Sequence, residues 1–101
     1  MNFKILNEEL ENNEFVLAYF WSEICLSCTS AGQFIDQLEK AYRKLKIIKI
    51  NVQTNLDLAE SFEIDTLPTF ILFQKSKVLL KIIGFRTGSA EIERRIRNFI
   101  F

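Results

Sequence analysis

The sequence has no histidine, one proline, three glycines and two cysteines. A zinc site ordinarily takes four Cys or His ligands. Two cysteines and no histidine cannot close one within a single chain. So little proline and glycine leaves no material for long loops or low-complexity linkers. Neither sign of charge is in excess: 13 Lys plus Arg balance 13 Asp plus Glu. A net charge of zero gives no global attraction to nucleic acid or to an anionic membrane, and neither is expected as a partner. No apolar run approaches the roughly 20 residues that span a bilayer. The run from Phe3 to Leu6 is too short for the core of a secretory signal and is closed by Asn7, Glu8 and Glu9. The expected location is therefore a reducing cytoplasm.

What is present is apolar. Hydrophobic residues make up 49% of the chain, and ten residues are Phe. At 101 residues the sequence reads as one domain, 1–101, able to bury roughly two thirds of its unfolded surface. Phe3 to Leu6 reads as a short strand, followed by a helix capped by Asn7 and ended by Asn12 and Asn13. Phe15 to Trp21 is apolar on both parities, with Phe15, Leu17 and Tyr19 on one face and Val16, Ala18 and Phe20 on the other. Such a strand belongs in the middle of a sheet covered on both sides. From Cys28 to about Leu45 the period becomes helical, with Phe34, Leu38, Ala41, Tyr42 and Leu45 on one stripe. Ile47 to Val52 reads as a strand and Asn55 to Phe62 as a short helix. Thr69 to Phe73 and Val78 to Ile83 read as a hairpin joined by the turn Gln74 to Lys77, and Gly84 breaks the second strand. Ser89 can cap a last helix that buries Ile92, Ile96, Phe99 and Ile100. Alternating βα units imply parallel pairs and an α/β fold, closed by an antiparallel pair.

The two cysteines, Cys25 and Cys28, stand three positions apart between the central strand and the helix. In a reducing compartment such a pair is more often catalytic or metal-binding than a structural staple. Three readings remain on the residues alone: half of a metal site shared between two chains, an inert pair at a helix end, or a redox dithiol. The third has a physical basis. Near a helix start, the Cys25 sulfur lies close to unpaired N–H groups and the positive end of the dipole, which favour thiolate. Cys28 is expected on the same helix face one turn later, a separation that suits a disulfide. An attacking thiolate and a second, resolving thiol are what thiol–disulfide exchange needs.

The chain resembles the thioredoxin family over nearly its whole length. The stretch FWSEICLSC, Phe20 to Cys28, is similar to that family's strand-to-helix active-site segment, with Trp21 four residues before the first cysteine. FEIDTLPTF, Phe62 to Phe70, resembles the segment that carries a cis-proline followed by Thr. NVQTN, Asn51 to Asn55, matches the turn after the third strand, and Gly84 matches the glycine after the last strand. The resemblance implies a thioredoxin fold: a central mixed sheet of four or five strands flanked by helices on both faces. It implies Cys25 as attacking thiolate and Cys28 as resolving thiol, with no bound cofactor and no metal. Pro68, in cis, would lie against the cysteines and leave the Leu67 backbone free to pair with an extended substrate. Trp21 would fill the core and shield the thiolate, and Ile24, Leu26, Leu67 and Phe85 would form an apolar rim suited to a protein substrate.

Two departures from the family pattern stand out. Many thioredoxins carry a buried acid two positions before the tryptophan; here that position is Tyr19. A phenol is a poor base at neutral pH. Lys49 matches the lysine that accompanies the acid, so its partner is absent from the usual place, and Glu23 is the remaining proton-transfer candidate by sequence. The dipeptide between the cysteines is Leu26-Ser27 instead of Gly-Pro, which alters a potential that spans about 150 mV among thioredoxin-like proteins. Ser27 has two options, donating to the Cys25 sulfur or facing water. The function implied is reduction of protein disulfides, with electrons returned by a donor of the thioredoxin-reductase type. The alternative is a binding module of the same fold with little redox turnover.

Overall fold

The computed structural model describes residues 1–100 of the chain. Phe15–Trp21 forms strand β1, buried at every position before Trp21. A strand buried on both faces needs a neighbour on each edge and a layer on each side, and β1 has both. Strand β2 (Leu45–Asn51) runs parallel to it, from Phe15 opposite Leu45 to Trp21 opposite Asn51. Strand β3 (Thr69–Gln74) runs antiparallel on the other edge, from Phe15 opposite Gln74 to Phe20 opposite Thr69. Strand β4 (Lys77–Ile83) extends β3 antiparallel, giving the order β2-β1-β3-β4.

The parallel crossover is made by helix α2 (Cys28–Ala41), whose 14 residues, about 21 Å long, carry the chain back along the sheet. Helix α3 (Leu56–Ser61) has six residues, about 9 Å, too short for a second crossover. The chain accordingly enters β3 from the opposite end, so the expected parallel pairing fails there. Between β3 and β4 the connection is tighter than the sequence suggests. Lys75 and Ser76 alone make it, both at positive φ (49° and 72°), the two-residue geometry whose twist matches an antiparallel pair.

The alternation of β1 divides the core in two. Phe15, Leu17 and Tyr19 pack with Phe34, Ile35 and Leu38 of α2 and with Ile92, Ile96 and Ile100 of helix α4 (Ser89–Ile100). Val16, Ala18 and Phe20 pack with Leu58 of α3 and with Leu6 and Leu10 of helix α1 (Phe3–Asn12). Helices thus cover both faces.

Three expectations need correction. Phe3 to Leu6 is the first turn of α1 and not a strand, and its cap is Asn2 instead of Asn7: the Asn2 side chain accepts the Ile5 N–H at 2.9 Å. Only Leu6 and Leu10, four apart, are buried in that helix, which is the helical period hidden in an apolar run too short to show it. Helix α2 stops at Ala41, because Leu45 is taken by β2 opposite Phe15. Phe99 stays outside the core, 43% exposed, while Ile92, Ile96 and Ile100 at spacing four face inward. Replacing Asn2 by alanine should lower stability by about 1 kcal/mol through loss of the cap. Urea unfolding checks this, and an unchanged midpoint would mean that the first turn of α1 contributes nothing.

Candidate active site

Strand β1 delivers the chain to the site and α2 leaves from it. Past Trp21 the backbone tightens: the Cys25 N–H donates to the Ser22 carbonyl at 3.4 Å and the Cys28 N–H to the Cys25 carbonyl at 3.2 Å. Helix α2 begins at Cys28 with Ser27 as its N-cap. Cys25 therefore lies ahead of the helix, so the two cysteines do not occupy successive turns of one helix face as the spacing suggests. Their Cα atoms are 5.3 Å apart and their sulfurs are bonded. The pair is asymmetric. Cys25 is partly exposed, whereas Cys28 is buried, 6% exposed. The Ser27 hydroxyl lies 3.6 Å from the Cys25 sulfur. A disulfide sulfur carries no proton, so the hydroxyl is the donor.

Two depressions border the pair, a front groove at Cys25 and a rear cavity at Cys28. The front groove, about 530 Å³, is lined by Ser22, Ile24, Cys25, Leu26, Ser27, Asp65 and Leu67. Ile24 and Leu26 project from its edge, 79% and 96% exposed. Leu67 is half-buried, and its peptide bond to the buried Pro68 is cis. The Pro68 carbonyl accepts the N–H of Gly84 at 2.7 Å. Gly84 adopts φ +82°, a conformation that costs glycine little, and ends β4 there. Phe85, next in sequence, does not line the groove; it is half-buried and packs on Phe34 and Phe70, ring centroids 5.9 and 6.3 Å away. The predicted rim thus divides into two projecting side chains and two embedded ones. Ser22, which sequence reasoning passed over, lies buried at the groove with its hydroxyl unpaired among the described residues.

The rear cavity, about 310 Å³, is lined by Tyr19, Trp21, Cys28, Thr29, Gly32, Gln33, Asp36 and Lys49. Trp21 packs against the core and lines this cavity at Cys28, not the groove at Cys25 where the sequence reading placed it. The Tyr19 hydroxyl, buried under α2, donates to the Cys28 carbonyl at 2.9 Å. Burial, and after it the negative charge of Asp36, pushes its pKa up to about 12, so the phenol stays protonated and takes no proton at neutral pH. Lys49 is not without a partner: its ammonium donates to the Asp36 carboxylate at 2.7 Å. Sequence reasoning missed Asp36, although it stands in α2 at spacing four and eight from Gly32 and Cys28. Both groups are about half exposed, so the pair contributes little to stability. Glu23 is exposed and lines neither depression. Gly32 costs α2 about 0.5–1 kcal/mol relative to alanine. A Cβ there would meet the Tyr19 hydroxyl oxygen at an ordinary 3.8 Å, so no neighbouring atom excludes a small side chain at this position.

A bonded Cys-x-x-Cys at the end of a buried strand, its groove shared with the Leu67 of a cis Leu67–Pro68 peptide, invites comparison with known proteins. Residues 2–98 match the thioredoxin family model. The chain belongs to the thioredoxin family. It is 32% identical over 82 residues to the thioredoxin of Mycoplasma pneumoniae, covering 81% of this chain and 80% of that one. It is 29% identical over 92 residues to the bifunctional thioredoxin reductase/thioredoxin of Mycobacterium leprae, covering 90% of this chain but only 20% of that longer protein. The fold agrees with that of oxidised mitochondrial thioredoxin 3 from Saccharomyces cerevisiae, with a TM-score of 0.89 at 23% identity over 97% of this chain and 91% of that one. This thioredoxin-family chain is accordingly a thiol–disulfide oxidoreductase, and the binding-module reading is not favoured.

Proposed function

We propose that this thioredoxin works as a reductant of protein disulfides in a reducing cytoplasm. The observation that carries the reading is the asymmetry of the pair: Cys25 opens onto a groove edged by projecting apolar side chains, and Cys28 is buried behind it. In the reduced protein Cys25 attacks a substrate disulfide, one substrate sulfur leaves, and a mixed disulfide forms. Cys28 then attacks Cys25, the second substrate sulfur leaves, and the Cys25–Cys28 disulfide results. The start of α2 behind Cys25 stabilises thiolate, and Ser27 offers a hydroxyl donor to it. An extended substrate segment pairs with the backbone at Leu67, its apolar side chains meeting Ile24 and Leu26. Electrons return from a reductase of the thioredoxin-reductase type. The fusion of a reductase to a thioredoxin in the Mycobacterium leprae relative supports that assignment.

The groove reading has its own consequence. Leu26→Glu combined with Ile24→Glu should raise KM for a protein disulfide about tenfold, the equivalent of roughly 1.4 kcal/mol of lost binding, with kcat nearly unchanged. Reduction of a small disulfide should barely respond. Steady-state reduction of insulin against that of bis(2-hydroxyethyl) disulfide makes the comparison. Equal losses on both substrates would mean that these side chains support the dithiol itself and not the substrate.

A further inference from the structure

A thiol attacks as its thiolate, so Cys28 must lose a proton before it can displace the substrate. Cys28 is 6% exposed, and it lines the rear cavity. The titratable groups that face it there are Tyr19 from β1, Lys49 from β2 and Asp36 from its own helix. Tyr19 already donates to the Cys28 carbonyl at 2.9 Å and remains protonated. Lys49 is an ammonium ion-paired to Asp36 and offers donors only. A carboxylate is an acceptor, and Asp36 is the one in the cavity.

The path to it is built into α2. Cys28, Gly32 and Asp36 follow one another at spacing four, so they form one stripe along the helix with about 6 Å between steps. Helical side chains lean toward the N-terminus, which carries Asp36 back over Gly32 toward Cys28. Gly32 has no side chain to obstruct the stripe. A cavity of about 310 Å³ has room for roughly ten waters at about 30 Å³ each.

We propose that Asp36 accepts the Cys28 proton through water held over Gly32, with Lys49 fixing the carboxylate in place. The inference rests on Cys28 being the resolving thiol. In the step concerned, the Cys28 sulfur bonds to Cys25, the Cys25–substrate bond breaks, and its electron pair leaves on the substrate sulfur. The proton taken by Asp36 passes on to solvent or to the departing thiolate, and no further reductant is consumed. Asp36 acts through water and not by contact with sulfur.

Dithio-bis-nitrobenzoate separates the steps, since one coloured thiolate is released on attack by Cys25 and the second on resolution by Cys28. It reports both even if protein disulfides are not the substrates, so a failure to reduce insulin would count against the function above and not against this relay. Asp36→Asn should slow the second release about tenfold at pH 6 and leave the first unchanged. The deficit should shrink toward pH 9 as hydroxide replaces the missing acceptor. Added formate should restore part of the rate, and Asp36→Glu most of it. A second release at the wild-type rate would overturn the proposal. So would a deficit constant with pH, or one shared by the first release, because either would give Asp36 a structural role only.

Discussion

Replacing Cys25 by serine is expected to abolish disulfide reduction, whereas replacing Cys28 by serine is expected to arrest it half-way. A serine hydroxyl at neutral pH is a far weaker nucleophile than a thiolate, so Cys25→Ser should lower the rate a thousandfold or more, roughly to background. Cys28→Ser leaves the partly exposed Cys25 and its groove intact. Attack should proceed and the product should be a stable mixed disulfide with the substrate, seen by intact-mass measurement under non-reducing conditions. The assignment of roles depends on the burial difference, since the 6% exposed Cys28 cannot be approached by a protein substrate. If Cys25→Ser accumulated the mixed disulfide and Cys28→Ser did not, the roles would be reversed.

The second large effect concerns the core that holds the site. Phe70 is 1% exposed and sits in the core cluster that packs under Tyr19. Its ring stacks on Tyr19 at 5.5 Å and contacts Phe34 and Phe85, each at 6.3 Å. Tyr19 is also its partner across the β1–β3 ladder. Phe70→Ala should therefore cost about 3–5 kcal/mol, lost transfer energy and residual cavity together. Against a total of about 5–15 kcal/mol for a domain of this kind, that is a large share. At roughly 4–8 °C per kcal/mol the thermal midpoint should fall by about 12–40 °C. Phe99→Ala, a ring lost from the 43% exposed surface of α4, should cost under about 1 kcal/mol. Comparable losses from the two substitutions in urea or thermal unfolding would mean that the aromatic cluster is not what supports the site.

Much of this was readable from the sequence, and the failures have physical causes. The two-sided apolar run Phe15–Trp21, the hairpin around Lys75 and the spacing of Ile92, Ile96 and Ile100 all carry their structure locally. Phe3 to Leu6 does not, because a four-residue apolar run fits a strand and a helical turn equally well. The direction of β3 was hidden too, since it depends on α3 being too short to cross the sheet. At the site, the cysteines, Trp21 and Pro68 announce themselves by spacing. Asp36 does not: its partner Lys49 lies 13 residues away on another element, and only the packing of α2 against β2 brings them together. Phe85 was drawn to the rim by its position beside Gly84, yet the Phe34–Phe70 pocket offers its ring more burial than the groove does.

The central claim is that the Cys25–Cys28 pair is a reductant, and the equilibrium reduction potential of that pair against a glutathione buffer tests it most directly. The expected value is near or below about −250 mV, so that the dithiol donates electrons to substrate disulfides in a reducing compartment. A value near about −200 mV or above would contradict it and would make Leu26-Ser27 the signature of an oxidant or isomerase.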